Sequence, residues 1–138
     1  MVGYLASAFV APGSDIYNTF RTRGVSLSEA PARPYATPRT QVPLYVLVDG
    51  GTASAAESFA YTLRSAGRAI VVGERSAGAA NPGAMIDIGE GFSVFVSDGT
   101  PVNPITHANW EATGIAPDVA VASKDALETA SRLARATR

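Results

Sequence analysis

An α/β fold with a mainly parallel core sheet is what this sequence predicts, on three observations. Residues 44–48, LYVLV, form a short apolar run, the pattern of a strand covered on both faces. Across Asp49, Gly50 and Gly51 follows a stretch, 53–66, rich in Ala, Ser, Glu, Leu and Arg, with Phe59, Leu63 and Ala66 at helical spacing. Past Gly67, residues 69–73 return to a second apolar run. A helix between two buried strands is a βαβ crossover, which sets the two strands parallel in one sheet.

The other elements follow in chain order. The opening MVGYLASAFVAPG suits a helix ended by Pro12 and Gly13, with Tyr4, Leu5, Ala8 and Phe9 on its buried face. Residues 14–23 carry Ile16, Tyr17 and Phe20 among polar neighbours and read as a strand or an irregular extended arm. Pro31, Pro34 and Pro38 make 25–42 a long connection that supports neither helix nor central strand, and long ordered connections tend to be functional. Residues 85–88 and 92–96, parted by Gly89, Glu90 and Gly91, read as a hairpin. A polar loop, a short strand at 119–121 and a helix over 123–136 capped by Ser123 close the chain. There is no internal repeat and no low-complexity tract.

Length and charge narrow the function. At 138 residues the chain fits one domain able to bury a real core. Eleven basic against twelve acidic residues give a net charge of -1 and no electrostatic footprint for nucleic acid or an anionic membrane. Without cysteine there is no disulfide framework and no thiol nucleophile, and the compartment stays open. The apolar opening is too short to span a membrane and lacks the basic region of a signal peptide. No His or carboxylate spacing suggests a metal and no glycine-rich phosphate loop is present, so no cofactor is expected. A chain that starts inside a core helix, with no leading strand, reads as the C-terminal part of something longer. The surface such a cut uncovers predicts a homo-oligomer, with Tyr4, Leu5, Phe9, Ile16, Tyr17 and Phe20 at the contact.

The segment DGGTASAAE carries the chemistry. A strand-to-helix turn whose glycines permit left-handed backbone would set Ser54 at the first turn of a helix, where unpaired amides and the positive dipole end favour developing negative charge. The amide of Ala55, one residue on, is placed to donate to an oxyanion. Ser54 and Glu57 also match a capping box, an ordinary helix start that competes for the same oxygen.

Several blocks now align in order with one family: GYLASAF, PLYVLVDGGTASAAE, VVGERSAGAANPG, VNPITHANWEATG and the late PDV. Together the chain resembles the tail-specific, or C-terminal processing, serine peptidases, most closely their interphotoreceptor retinoid-binding-protein branch. The resemblance implies a ClpP/crotonase-like layered fold and hydrolysis of peptide or unfolded protein substrates. It puts Ser54 at the nucleophile and Ala55 at the residue whose amide helps form the oxyanion hole. The family's lysine base falls on Ala79, so a serine-lysine dyad is not present. Glu111, in NWEATG, matches the glutamate of the tricorn-like alternative, whose histidine comes from an earlier part of the chain. A rival implied by the same branch is a binding module for an apolar small molecule, which needs no base.

Other features have ordinary explanations. His107, the one histidine, falls in the turn ITHAN, where a solvated side chain is the plain expectation. Trp110 is expected to anchor a loop with its indole N–H satisfied. Asn81, Pro82 and Gly83 make a turn that can line a cleft. Glu74 and Arg75 suggest an exposed ion pair of small value.

Overall fold

The computed structural model describes residues 1–137. Its elements run α1 (Val2–Ser7), β1 (Thr19–Thr22), β2 (Val25–Ser28), β3 (Tyr45–Val48), α2 (Ala55–Ser65), β4 (Ile70–Gly73), β5 (Gly83–Gly89), β6 (Phe92–Ser97), β7 (Gly99–Val102), β8 (Val119–Ala120) and α3 (Ser123–Ala136). Three sheets result: a parallel one in the order β3-β4-β8, an antiparallel one in the order β2-β1-β7, and the hairpin β5-β6.

The βαβ reading holds. β3 and β4 pair in parallel from Tyr45 opposite Ile70 to Val48 opposite Gly73, with α2 between them in sequence. Alternation along β4 builds the layers: Val71 packs with Val48, Ala60, Trp110 and Ile115, whereas Val72, on the opposite face, packs with Ala126 and Ala130 of α3. A further cluster joins Ala6, Val10 and Ile16 to Leu63 and Ala69, which fixes α1 beside α2. Val71, Val72 and Leu63 are fully buried, and each contributes about 1.5–3 kcal/mol relative to exposure.

Asp118 ties this layer to α2. Its backbone N–H donates to Val71 O at 2.8 Å, its Oδ2 accepts from Val71 N at 2.9 Å, and its Oδ1 accepts from Arg64 Nε at 2.8 Å. The PDV block is therefore a clamp between β4, β8 and α2.

Several expectations need correction. β3 is not covered on both faces: it is an edge strand, Val48 is buried but Leu47 stands 41% exposed, and at β4 the same holds of Ile70 at 40%. The buried face of α1 is Gly3, Ala6 and Ser7, with Tyr4 and Leu5 exposed. Small residues win there because the helix lies so close to Glu29 that a Cβ on Gly3 would collide with the Glu29 carbonyl. The supposed connection over 25–42 begins with β2, an exposed edge strand whose Val-Ser-Leu-Ser alternation has period 2. Ser123 does not cap α3: Ala122 is the N-cap, and Glu74 Oε1 accepts from the Ser123 N–H at 3.0 Å. Glu74 therefore does not pair with Arg75, whose Nη1 donates to Thr113 O at 3.0 Å.

The polar loop expected after the hairpin contains β7, which pairs with β1 from Thr19 opposite Val102 to Thr22 opposite Gly99, with Pro101 inside it. This pairing brings residues 18–29 alongside the start of α2. The 85–96 hairpin forms as expected, longer at both ends and exposed along both strands. Ile16, expected at a contact between chains, is buried within this one.

Candidate active site

Ser54 stands at the turn between β3 and α2, is solvent-exposed, and is the N-cap of the helix. Its backbone has φ 54° and ψ -119°. That is left-handed φ on a residue with a Cβ, a conformation that costs of order 1–3 kcal/mol and persists only where the surroundings over-determine it. Gly50 and Gly51 were expected to take this conformation, but neither is among the positive-φ residues; the strain sits on the serine itself.

The surroundings that hold it are identifiable. Asp49 Oδ1 accepts from Gly51 N–H at 2.9 Å, and Thr52 Oγ1 accepts from Asp49 N–H at 3.0 Å, closing the turn upstream. Downstream, Glu57 Oε2 accepts from the Ser54 N–H at 3.0 Å, and the capping box of Ser54 and Glu57 forms as the sequence suggests. Cap and nucleophile readings thus fall on the same oxygen of an exposed serine. Ala55 is the first residue of α2, where a backbone N–H has no carbonyl behind it inside the helix.

Glu57 is the organising residue that the sequence pattern undersold. It is fully buried, and besides the Ser54 amide its carboxylate accepts from Gly78 N at 2.8 Å, Ala79 N at 2.9 Å and Ser76 Oγ at 2.5 Å. Ser76 Oγ in turn accepts from Ile115 N at 2.7 Å. One carboxylate thus fastens the 76–79 loop to the serine turn. The Ser-x-x-Glu spacing gave the cap, but nothing local signalled partners about twenty residues away.

Glu111 holds the next stretch of that loop: its Oε2 accepts from Ala80 N at 2.7 Å and Asn81 N at 2.8 Å. Ala79 is exposed, its amide held by Glu57. Ser54, Ala55, Ser58, Asn81, Trp110 and Glu29 are among the residues that line one open cleft of about 130 Å³, with Phe20 and Pro82 also on its walls. Neither Glu111 nor His107 lines it; His107 lies exposed in a turn at φ 55°.

Trp110 is 1% exposed and packs against Tyr61 at 5.0 Å between ring centroids. Its anchoring role is as expected, but its indole N–H has no partner among the described residues, and neither has the buried Asn81 Oδ1. A second feature not legible beforehand is a buried polar chain behind the cleft. Asn18 Nδ2 lies 2.9 Å from Ser58 Oγ and 3.0 Å from Thr62 Oγ1, and Asn18 Oδ1 accepts from Asn103 Nδ2 at 2.9 Å. No cluster of potential metal-ligating residues occurs among the described residues.

The model of Peptidase family S41 matches residues 4–121. The chain belongs to this family. Among curated relatives, the S41 chain is similar to the chloroplastic carboxyl-terminal-processing peptidase 3 of Arabidopsis thaliana, 40% identical over 80 residues that cover 58% of this chain and 15% of the relative. It is also similar to a carboxyl-terminal-processing protease of Picosynechococcus, 36% identical over 61% of this chain and 20% of that one. The solved photosystem II D1 C-terminal processing protease superposes with a TM-score of 0.59 at 26% identity, over 87% of this chain and 30% of that structure. The chain thus spans about a fifth or less of the curated relatives' length. Nothing in these matches supports an apolar-ligand carrier.

Proposed function

We propose that this S41 chain carries the nucleophile-bearing part of a serine-type peptidase, acting on peptide or unfolded protein substrates. The observation that carries the reading is Ser54 itself: an exposed residue held at left-handed φ between a parallel strand and a helix. Such strain at a strand-to-helix turn presents a side-chain oxygen to a bound substrate.

In the reaction proposed, Ser54 Oγ adds to the scissile carbonyl carbon as its proton passes to a base. The oxyanion accepts from the Ala55 N–H at the positive end of α2, and collapse expels the amine with that proton. Water then hydrolyses the ester on Ser54. We assign the base to a group beyond the cleft walls described above, since Ala79 stands where the resemblance puts a lysine. Glu111 supports the site by fixing the 80–81 backbone, and the role of orienting a histidine base stays with it as part of the proposal. The ClpP/crotonase-like arrangement belongs here too, supported by α2 and α3 packing on opposite faces of β4. So does self-association, for which the exposed apolar hairpin is the support.

The test is turnover of unstructured peptides by the longest protein that contains this chain, with and without Ser54→Ala. A loss on the order of 10⁴-fold or more is expected; turnover that survives the substitution overturns the assignment.

A further inference from the structure

We infer that the Ser54 cleft selects a substrate with a cationic side chain, lysine or arginine, next to the bond that is cut, and that Glu29 reads it. The inference rests on the proposal that this cleft holds a peptide.

Among the residues lining the cleft, Glu29 is the one with a charged side chain. One of its oxygens, Oε2, is anchored, accepting from Ser58 Oγ at 2.6 Å and from Asn18 Nδ2 at 3.1 Å. Both anchors belong to the buried chain of Asn18, Ser58, Thr62 and Asn103, all at most 1% exposed, so the carboxylate is held from the core rather than left to sample solvent. Its other oxygen, Oε1, takes part in no hydrogen bond and is not among the buried unpartnered atoms. It is therefore open to a donor.

The anchors are neutral, and the side-chain oxygen of a glutamine at position 29 can accept from both, less strongly than a carboxylate does. What the glutamate adds is charge, and nothing among the described residues neutralises it: the ion pair found there is Arg64 with Asp118. A carboxylate without a cation, on a wall shared with Phe20 and Trp110, is electrostatically incomplete. A lysine ammonium or arginine guanidinium completes it, with its apolar stem along the aromatic walls. At about 130 Å³ the cleft takes one side chain rather than a whole small-molecule ligand.

The experiment is a chemical-shift titration of this chain with three capped peptides, acetyl-Gly-Lys-Gly-amide and its norleucine and glutamate counterparts. The lysine peptide is expected to bind about tenfold more tightly than the norleucine one and to shift the amides of Ser54, Ala55 and Glu29, with the glutamate peptide weakest. Glu29→Gln, which keeps both anchors, should bring lysine and norleucine within about twofold, and 0.5 M salt should narrow the preference in the unsubstituted chain. Equal binding of the three peptides, absence of shifts at the cleft with the lysine peptide, or a preference that survives Glu29→Gln overturns the inference. Ser54→Ala is expected to keep the lysine preference, so failure of the selectivity and failure of the nucleophile assignment are read separately.

Discussion

At the scale of single residues, the serine turn depends on a glutamate that never touches substrate. Glu57 collects four donors inside the fold, from Ser54, Ser76, Gly78 and Ala79. A glutamine there has one acceptor oxygen and an NH₂ that would face donors, leaving buried groups unpaired at about 1–3 kcal/mol each. Glu57→Gln should therefore lower unfolding free energy by at least about 2 kcal/mol, and urea unfolding followed by circular dichroism checks it. A change within about 0.5 kcal/mol would mean that the carboxylate is not the fastener described. Ser54 was legible in the sequence because strand, glycines, serine and helix lie next to one another in the chain. Glu57's further partners and the Asn18 chain were not, because they join segments that only the β1-β7 pairing and the return of the 76–81 loop bring together.

At the scale of elements, β3 and β4 meet so closely that one position admits only glycine. Gly73 has φ +132°, and a Cβ there would lie 2.0 Å from the Val48 carbonyl oxygen, immediately before the Asp49 turn. Gly73→Ala should cost more than about 2 kcal/mol by forcing the strands apart. Because the shift acts where β3 ends, it should also broaden or move the Ser54 amide resonance; a stable variant with unmoved resonances would contradict the packing described. The βαβ unit, the hairpin and α3 could be read from periodicity because each carries its own pattern. β2 has a pattern too, an alternation of Val, Ser, Leu and Ser overlooked beside the prolines that follow. β7, with glycine and proline among its four residues, has none, and only its partner makes it a strand.

At the scale of the whole molecule, three layers form around β4, and one titratable group at their margin gives a pH dependence with a defined sign. Burial raises the Tyr17 phenol above its ordinary value of 10.0. The unfolded chain therefore loses this proton first, so Tyr17 favours the folded state below about pH 10, and that contribution falls as pH rises from there through the folded value. Unfolding midpoints measured from pH 8.5 to 11 should decline more gently in Tyr17→Phe than in the unsubstituted chain; parallel declines would show that Tyr17 ionises alike in both states. The layers were legible in outline, because an apolar strand with helices before and after it admits few packings. Their edges were not. Leu47 and Ile70 carry the sequence signature of burial, yet lie where covering depends on what stands beyond the strand.

The central claim is that Ser54 is the nucleophile, and an active-site label tests it most directly. A fluorophosphonate is applied to this chain and to the longest protein that contains it, and the modified peptide is mapped by mass spectrometry. The account predicts one adduct, on Ser54, lost in Ser54→Ala, and weaker on this chain by itself than on the longest protein that contains it, because the proposed base lies beyond the cleft walls described. An adduct on another serine, or labelling that persists in Ser54→Ala, would contradict it.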